Sequence, residues 1–179
     1  AARLAGRSQH SALQPGMTRA PARQGGLIVM LTFVVALLLS MLPGPEWAER
    51  FRPDWVALVL IYWSVATPGL VGVGIGWLVG LVLDLLHGSV LGQHALALAV
   101  VAYIAHRLHL QVRMFPRWQQ AATVLILLLI NQLLVLWIKG VLGQAPTLWP
   151  NVTSSIVGMA IWPLVFIILR DVRRRVHLS

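Results

Sequence analysis

The sequence predicts an all-α membrane protein, built as a polytopic bundle of six transmembrane helices. Hydrophobic residues make up 58% of the 179-residue chain and charged residues only 11%, with a mean hydropathy of +0.79. A soluble domain usually carries about 25% charged residues. The apolar residues are also gathered into segments that approach the roughly 20 residues of helix needed to cross a bilayer. Lipid, rather than water, is therefore the expected surrounding of most of the chain.

Six apolar segments are predicted as helices, each bounded by proline, glycine or charge. In chain order they cover residues 25–42, 54–67, 70–87, 91–106, 119–138 and 152–169. Pro43-Gly44-Pro45 ends the first, and Thr67-Pro68-Gly69 and His87-Gly88-Ser89 predict tight turns on either side of the third. The second segment is short, so five spans are the alternative, with that segment re-entrant. The bundle is assigned to residues 25–170.

Basic residues predict the orientation of this bundle. With six spans, the two tails and the 106–117 connection share one side, which holds eleven of the 14 Lys and Arg residues: Arg3, Arg7, Arg19, Arg23, Arg107, Arg113, Arg117, Arg170, Arg173, Arg174 and Arg175. Cytoplasmic connections carry such an excess, so both termini are expected in the cytoplasm. The net charge of +9 is therefore interpreted as a topology and lipid-contact signal, and nucleic-acid binding is not expected.

The tails are interpreted separately from the bundle. Residues 1–24 are expected to form a flexible basic tail, in which residues 1–16 are a tag or upstream sequence before a natural start at Met17. Residues 171–179 are expected to form a basic cytoplasmic tail.

A glycine ladder with one acid marks the third segment. Gly72, Gly76, Gly80, Asp84 and Gly88 are spaced four residues apart and fall on nearly one helix face; we call this set the glycine seam. Glycines at this spacing allow close approach of another helix, and a carboxylate left in lipid costs on the order of 3 kcal/mol. The seam is expected to receive a partner helix or to line a cavity. The alternative is that Asp84 hydrogen-bonds within the bundle and fixes its packing.

Four polar residues inside the apolar segments are candidates to line such a cavity: Asp84, His94, Asn131 and Gln132. For His94 the alternative is an interface residue at the start of a helix. For the two amides it is a hydrogen bond between helices, worth about 1 kcal/mol.

Charged residues near segment ends have structural interpretations. Arg52-Pro53-Asp54 predicts a helix cap with an adjacent ion pair. Arg107, Arg113 and Arg117 are expected to contact anionic lipid or the tails of partner proteins.

Catalysis and cofactor binding are not expected. The chain has no cysteine, which excludes thiolate metal sites and a cysteine nucleophile, and it has no HExxH, P-loop or GxSxG motif. One embedded carboxyl and scattered histidines do not make a convincing acid–base pair.

Several stretches together resemble the bacterial rod shape-determining MreD family over about residues 27–175. They are Arg52-Pro53-Asp54-Trp55, Tyr62-Trp63, Gly80-Leu81-Val82-Leu83-Asp84, Leu91-Gly92-Gln93-His94-Ala95-Leu96-Ala97-Leu98 and Arg113-Met114-Phe115-Pro116-Arg117-Trp118-Gln119-Gln120. The segment before Met17 has no counterpart in that pattern.

This resemblance implies a non-catalytic component of the cell elongation machinery in the bacterial inner membrane. Such a protein binds the bitopic protein MreC and helps couple MreB filaments to peptidoglycan synthesis by RodA and penicillin-binding protein 2. The family is also similar in helical layout to the substrate-binding subunits of energy-coupling-factor transporters, which implies a central cavity. The alternative function is therefore a solute- or lipid-binding or transport subunit.

Overall fold

The computed structural model describes residues 21–43, 45, 51–144 and 148–176. Within them the chain is entirely helical, without strands. The helices are α1 (Pro21–Met41), α2 (Trp55–Ala66), α3 (Val73–His87), α4 (Gln93–Met114), α5 (Arg117–Val141) and α6 (Leu148–Val176). The all-helical fold class is confirmed, whereas the expected tag or upstream segment at 1–16 lies outside the described residues.

Three boundaries differ from the sequence prediction, the first because α1 begins at Pro21, within the expected tail of residues 1–24. The expected connection at 106–117 is wrong in length, because α4 continues to Met114 and α5 begins at Arg117. Only Phe115 and Pro116 separate these helices: the residue before a proline avoids the helical region, and Phe115 is extended at φ −75° and ψ 145°. The predicted boundary at residue 170 likewise falls inside α6, which continues to Val176.

Helix α2 occupies the centre of the bundle. All nine of its residues from Val56 to Ser64 are buried, and it contacts α1, α4, α5 and α6. Its 12 residues rise only about 18 Å, which is short of a hydrocarbon core of about 30 Å. Non-helical backbone at membrane depth is tolerated where protein surrounds it. Because neighbouring helices surround α2, its short length is compatible with a membrane.

The outer surface is apolar, as expected for a protein in lipid. Leu27 on α1, Leu85 on α3, and Leu133 and Trp137 on α5 are each about two-thirds exposed. By length and composition, α4, α5 and the Val152–Arg175 part of α6 can each cross a membrane, whereas the apolar parts of α1, α2 and α3 are 10–17 residues long. These features and the composition identify a membrane protein.

The two ends of the bundle differ in chemistry. At one end, which we call the arginine end, α2, α4 and α6 finish and α5 starts. There Arg113 of α4 donates a hydrogen bond to the Ala66 carbonyl oxygen at 2.7 Å, and Arg173 of α6 donates to the same oxygen at 3.3 Å. At the other end, the Asp84 end, α2 and α4 begin and α3 finishes.

Candidate functional site

The middle of the glycine seam is the closest approach between α3 and α4. A Cβ added to Gly80 would lie 2.3 Å from the Ala95 Cα and 2.6 Å from the Ala95 backbone nitrogen. At Gly76 it would lie 2.9 Å from the Leu98 carbonyl oxygen. The close helix approach that the spacing predicts is therefore made, and the helix that makes it is α4 of the same chain.

The ends of the seam have a different role. Gly72 precedes α3 as its N-cap, and Gly88 ends α3 in the left-handed conformation at φ 61°. An added Cβ at either glycine would meet nothing within 4 Å. Gly88 is needed for its backbone conformation, since L side chains rarely adopt a positive φ. The seam is thus a packed centre between two turn positions.

Asp84 is fully buried, and both of its carboxylate oxygens accept hydrogen bonds. Oδ1 accepts from the Ser89 hydroxyl at 2.8 Å and from the His94 backbone N–H at 3.0 Å. Oδ2 accepts from the backbone N–H groups of Gly92 at 2.9 Å and Ala95 at 3.3 Å. The His94 ring nitrogen Nδ1 also lies 2.7 Å from Oδ1.

This carboxylate acts as the N-terminal cap of α4. The N-cap residue of α4 is Gly92, which has no side chain to offer to the first N–H groups of the helix. Asp84 supplies that acceptor from the preceding helix, and its negative charge lies at the positive end of the α4 dipole. The alternative interpretation of Asp84, as a hydrogen-bonding group that fixes packing, agrees with this geometry.

Two histidines extend the polar group at the Asp84 end. The His87 and His94 rings stack with their centroids 5.9 Å apart, and His87 Nδ1 lies 3.0 Å from the Leu83 carbonyl oxygen. Ser89 and Asp84 both approach Nδ1 of His94, whereas a catalytic Ser-His-Asp set uses the two different ring nitrogens. Among the described residues no cluster of three potential metal ligands occurs.

A second polar contact joins α2 to α5. Asp54 caps α2 through a hydrogen bond from the Ala57 N–H at 3.1 Å, and its other oxygen accepts from Asn131 Nδ2 at 2.8 Å. The predicted cap is confirmed. Arg52 does not form the expected ion pair with Asp54 in the described part of the chain, because it donates instead to the Leu39 and Leu42 carbonyl oxygens at the end of α1.

The four candidate cavity residues are thus distributed over different contacts. Asp84 and His94 meet each other, while Asn131 binds Asp54. Gln132 is half-buried on the adjacent position of α5.

Asn131 is buried and the neighbouring Gln132 is half-buried, so the effects of the same substitution on stability can be compared at the two positions. We expect Asn131→Leu to lower the free energy of unfolding by about 1–2 kcal/mol, because it removes a hydrogen bond to a carboxylate. Gln132→Leu is the control and should change stability by less than about 0.5 kcal/mol. Thermal unfolding of the purified variants in detergent measures both, and equal losses would contradict a special role for the Asn131–Asp54 contact.

The three predicted basic contacts have separate surroundings. Arg107 donates a hydrogen bond to the Tyr103 hydroxyl at 3.2 Å, and its guanidinium lies 5.6 Å from the centre of that ring. Arg113 binds the Ala66 carbonyl oxygen, and Arg117 is exposed beside a small cleft between α5 and α6. Their contact with lipid or partner proteins stays a prediction.

Comparison with known proteins identifies the family. A family model described as "rod shape-determining protein MreD" matches residues 23–172. The chain belongs to the MreD family. A rod shape-determining protein MreD of Haemophilus influenzae is 35% identical over 150 residues, which cover 84% of this chain and 93% of the relative. No solved structure matches the chain, so similarity to energy-coupling-factor subunits stays a prediction.

Sequence reasoning missed three partners in this MreD family chain. The sequence predicts Ser89 only as a turn residue, whereas its hydroxyl donates a hydrogen bond to Asp84. The pairing of Asp54 with Asn131 joins residues 77 positions apart, and no local pattern indicates it. Tyr62 and Arg170 also line one cavity at the arginine end. The sequence signal for this proximity is that each lies near the predicted cytoplasmic end of its segment.

Proposed function

We propose that the protein is a non-catalytic membrane component of the bacterial elongation machinery. It maintains rod shape by binding the bitopic protein MreC, and it helps couple MreB filaments to peptidoglycan synthesis by RodA and penicillin-binding protein 2. The observation that carries this proposal is the family match, which extends over residues 23–172 and therefore over nearly the whole helical bundle.

The chemistry of the Asp84 end supports a structural rather than a catalytic role. Both oxygens of Asp84 are engaged by donors of the same chain, and three of these donors are backbone N–H groups at the start of α4. A catalytic acid or base needs free access to a substrate proton. Asp84 instead holds α3 and α4 together, as a scaffold requires.

The proposed location is the bacterial inner membrane, crossed several times, with both termini in the cytoplasm. Arg113, Arg117, Arg170 and Arg173 gather at the arginine end, and this concentration of basic residues favours the cytoplasmic side. The Asp84 end would then face the periplasm.

The proposed contact with the MreC helix must use surface that α4 leaves free. A partner helix at Gly76 or Gly80 would have to displace α4, because these glycines already contact Leu98 and Ala95. The exposed faces of the peripheral helices are available instead. Examples on five helices are Leu31, Leu78, Leu96, Leu133 and Leu164.

Site-specific photo-crosslinking tests this proposal in living cells. A photoreactive residue is placed in turn at each of those five exposed positions, and only the positions on one face of the bundle should give a product containing MreC. Leu98 is the matched control, because it lies on α4 only two residues from exposed Leu96 but is 1% exposed.

Co-purification from native membranes in mild detergent provides the second measurement. A single-span protein with a periplasmic domain should be recovered in stoichiometric amounts. The proposal would be overturned if MreC crosslinked at none of the exposed positions and an ATPase module or a small ligand were recovered instead. That result would favour the solute- or lipid-binding alternative.

A further inference from the structure

A cavity of about 220 Å³ lies at the arginine end, between α2, α4, α5 and α6. Its rim carries three guanidinium groups, those of Arg113, Arg170 and Arg173. Its wall includes the aromatic rings of Tyr62, Trp162 and Phe166. The cavity is thus lined by both cationic and apolar groups.

The three arginines lack carboxylate partners within the described residues. Asp84 is engaged with His94, and Asp171 pairs with Arg175 at 2.9 Å. Asp54 lies at the opposite end of the bundle, where it caps α2. No acid in the described part of the chain therefore neutralises the positive charge at the cavity.

The contacts at the end of α2 use only part of the hydrogen-bonding capacity of the cavity arginines. Arg113 and Arg173 each donate to the Ala66 carbonyl oxygen, whereas a guanidinium has five N–H donors. That shared carbonyl holds the two groups beside each other. Arg170 is half-buried and has no hydrogen-bond or carboxylate partner among the described residues. Guanidinium groups with unused donors are well suited to bind the oxygens of a phosphate.

The apolar wall is built from aromatic rings that pack against one another. The Tyr62 and Phe166 rings meet edge to face with centroids 5.7 Å apart, and the Trp162 and Phe166 centroids are 6.1 Å apart. Trp162 and Tyr62 are only 4% and 3% exposed. These rings form a packed apolar surface against which a hydrocarbon chain can lie.

The cavity adjoins a narrow cleft between α5 and α6. Gln120, Trp162 and Phe166 line both spaces, and the cleft also touches the exposed residues Pro163 and Ile167 on the outside of α6. A chain leaving the cavity by this cleft would reach the apolar outer surface. At about 220 Å³ the cavity is smaller than the 300–1,000 Å³ that holds a drug-sized ligand, so a head group and the start of a chain fit its size.

We propose that this cavity binds the phosphate head group of an anionic membrane lipid. Arg113, Arg170 and Arg173 hold the phosphate, and the hydrocarbon chain passes Trp162 and Phe166 towards the outer surface between α5 and α6. Basic pockets between transmembrane helices bind anionic head groups in this way. The inference does not depend on MreC binding and adds a ligand site to the proposed function.

The test uses the purified full-length protein, stripped of lipid in detergent. Phosphatidylglycerol should raise its melting temperature in a concentration-dependent way, and native mass spectrometry should detect one bound molecule. Phosphatidylcholine, which carries the same phosphodiester without net charge, should bind at least tenfold more weakly. The same measurement with inorganic phosphate distinguishes binding of a lipid head group from binding of a free anion.

Three variants locate the site. Arg170→Gln combined with Arg173→Gln should weaken phosphatidylglycerol binding at least tenfold. Arg174→Gln removes one positive charge from an exposed position on the same helix but outside the cavity, and it should change binding less than twofold. Val65→Phe fills the apolar part while leaving every charge in place, and it should also weaken lipid binding.

Each contrary result would overturn the proposal. An equal response to inorganic phosphate would assign the cavity to a soluble anion. Equal binding of phosphatidylcholine, or an equal loss in Arg174→Gln, would show that no specific head-group site exists. If the double arginine variant does not fold, the comparison of lipids on the unmodified protein and the result for Val65→Phe still decide the question.

Discussion

Gly80→Ala is expected to lower the free energy of unfolding by about 3 kcal/mol, at the upper end of the range for overpacking. The new Cβ would lie 2.3 Å from the Ala95 Cα, and the atoms it meets belong to backbone rather than to a flexible side chain. Relief of that overlap requires α3 and α4 to separate. The same separation would draw Asp84 away from the first turn of α4.

Gly74→Ala is the matched control for this prediction. Gly74 lies on the same helix, but a Cβ added there meets nothing within 4 Å. Alanine also favours the helix by about 1 kcal/mol over glycine, so this variant should be neutral or slightly more stable. Thermal unfolding in detergent measures both variants, and restoration of rod shape in a strain that lacks its own family member gives the cellular readout. Equal stability of the two variants would contradict the close packing of α3 on α4.

Asp84→Ala should lower the free energy of unfolding by at least about 3 kcal/mol. The substitution leaves the N–H groups of half-buried Gly92 and His94 and of buried Ala95 without their acceptor, and an unsatisfied buried group costs about 1–3 kcal/mol. It also removes the negative charge at the start of α4. Asp84→Asn should have an intermediate effect, because an amide keeps one acceptor oxygen but turns an NH₂ group towards other donors.

Asp171→Asn is the control for loss of a carboxylate. Asp171 forms an exposed ion pair with Arg175 one helical turn away, and such pairs contribute at most about 1 kcal/mol. Thermal unfolding of Asp84→Ala, Asp84→Asn and Asp171→Asn gives the order of their stabilities. Hydrogen–deuterium exchange should show that Asp84→Ala exposes the amides at the start of α4, whereas Asp171→Asn leaves them protected. Unchanged protection in Asp84→Ala would show that the carboxylate does not cap α4.

Much of the architecture follows from local patterns. Composition predicts the membrane, and apolar segments between proline, glycine and charge predict all six helices. Four of them are predicted within about four residues at both ends, and α4 and α6 within about four residues at their starts only. The four-residue spacing of the glycines predicts a close helix contact, because it places them on one face. The motifs between Arg52 and Gln120 are sufficient to indicate the family to which the chain belongs.

Local patterns underestimate helix length where helices leave the apolar segments. Helices α4 and α6 continue through arginine-rich sequence to Met114 and Val176. Hydropathy marks where a helix leaves lipid, whereas its end depends on the next residue that cannot be helical. For α4 that residue is Phe115, because Pro116 follows it.

By itself, the sequence determined that the chain is a helical membrane protein of the MreD family, with a glycine face and one acid that lipid cannot accommodate. The tertiary structure decided what each face meets: α4 covers Gly76 and Gly80, Asp84 caps α4, and Asn131 binds Asp54. It also brought Arg113, Arg170 and Arg173 to one cavity. Periodicity specifies which residues share a face, but the residues opposite that face depend on how distant helices pack.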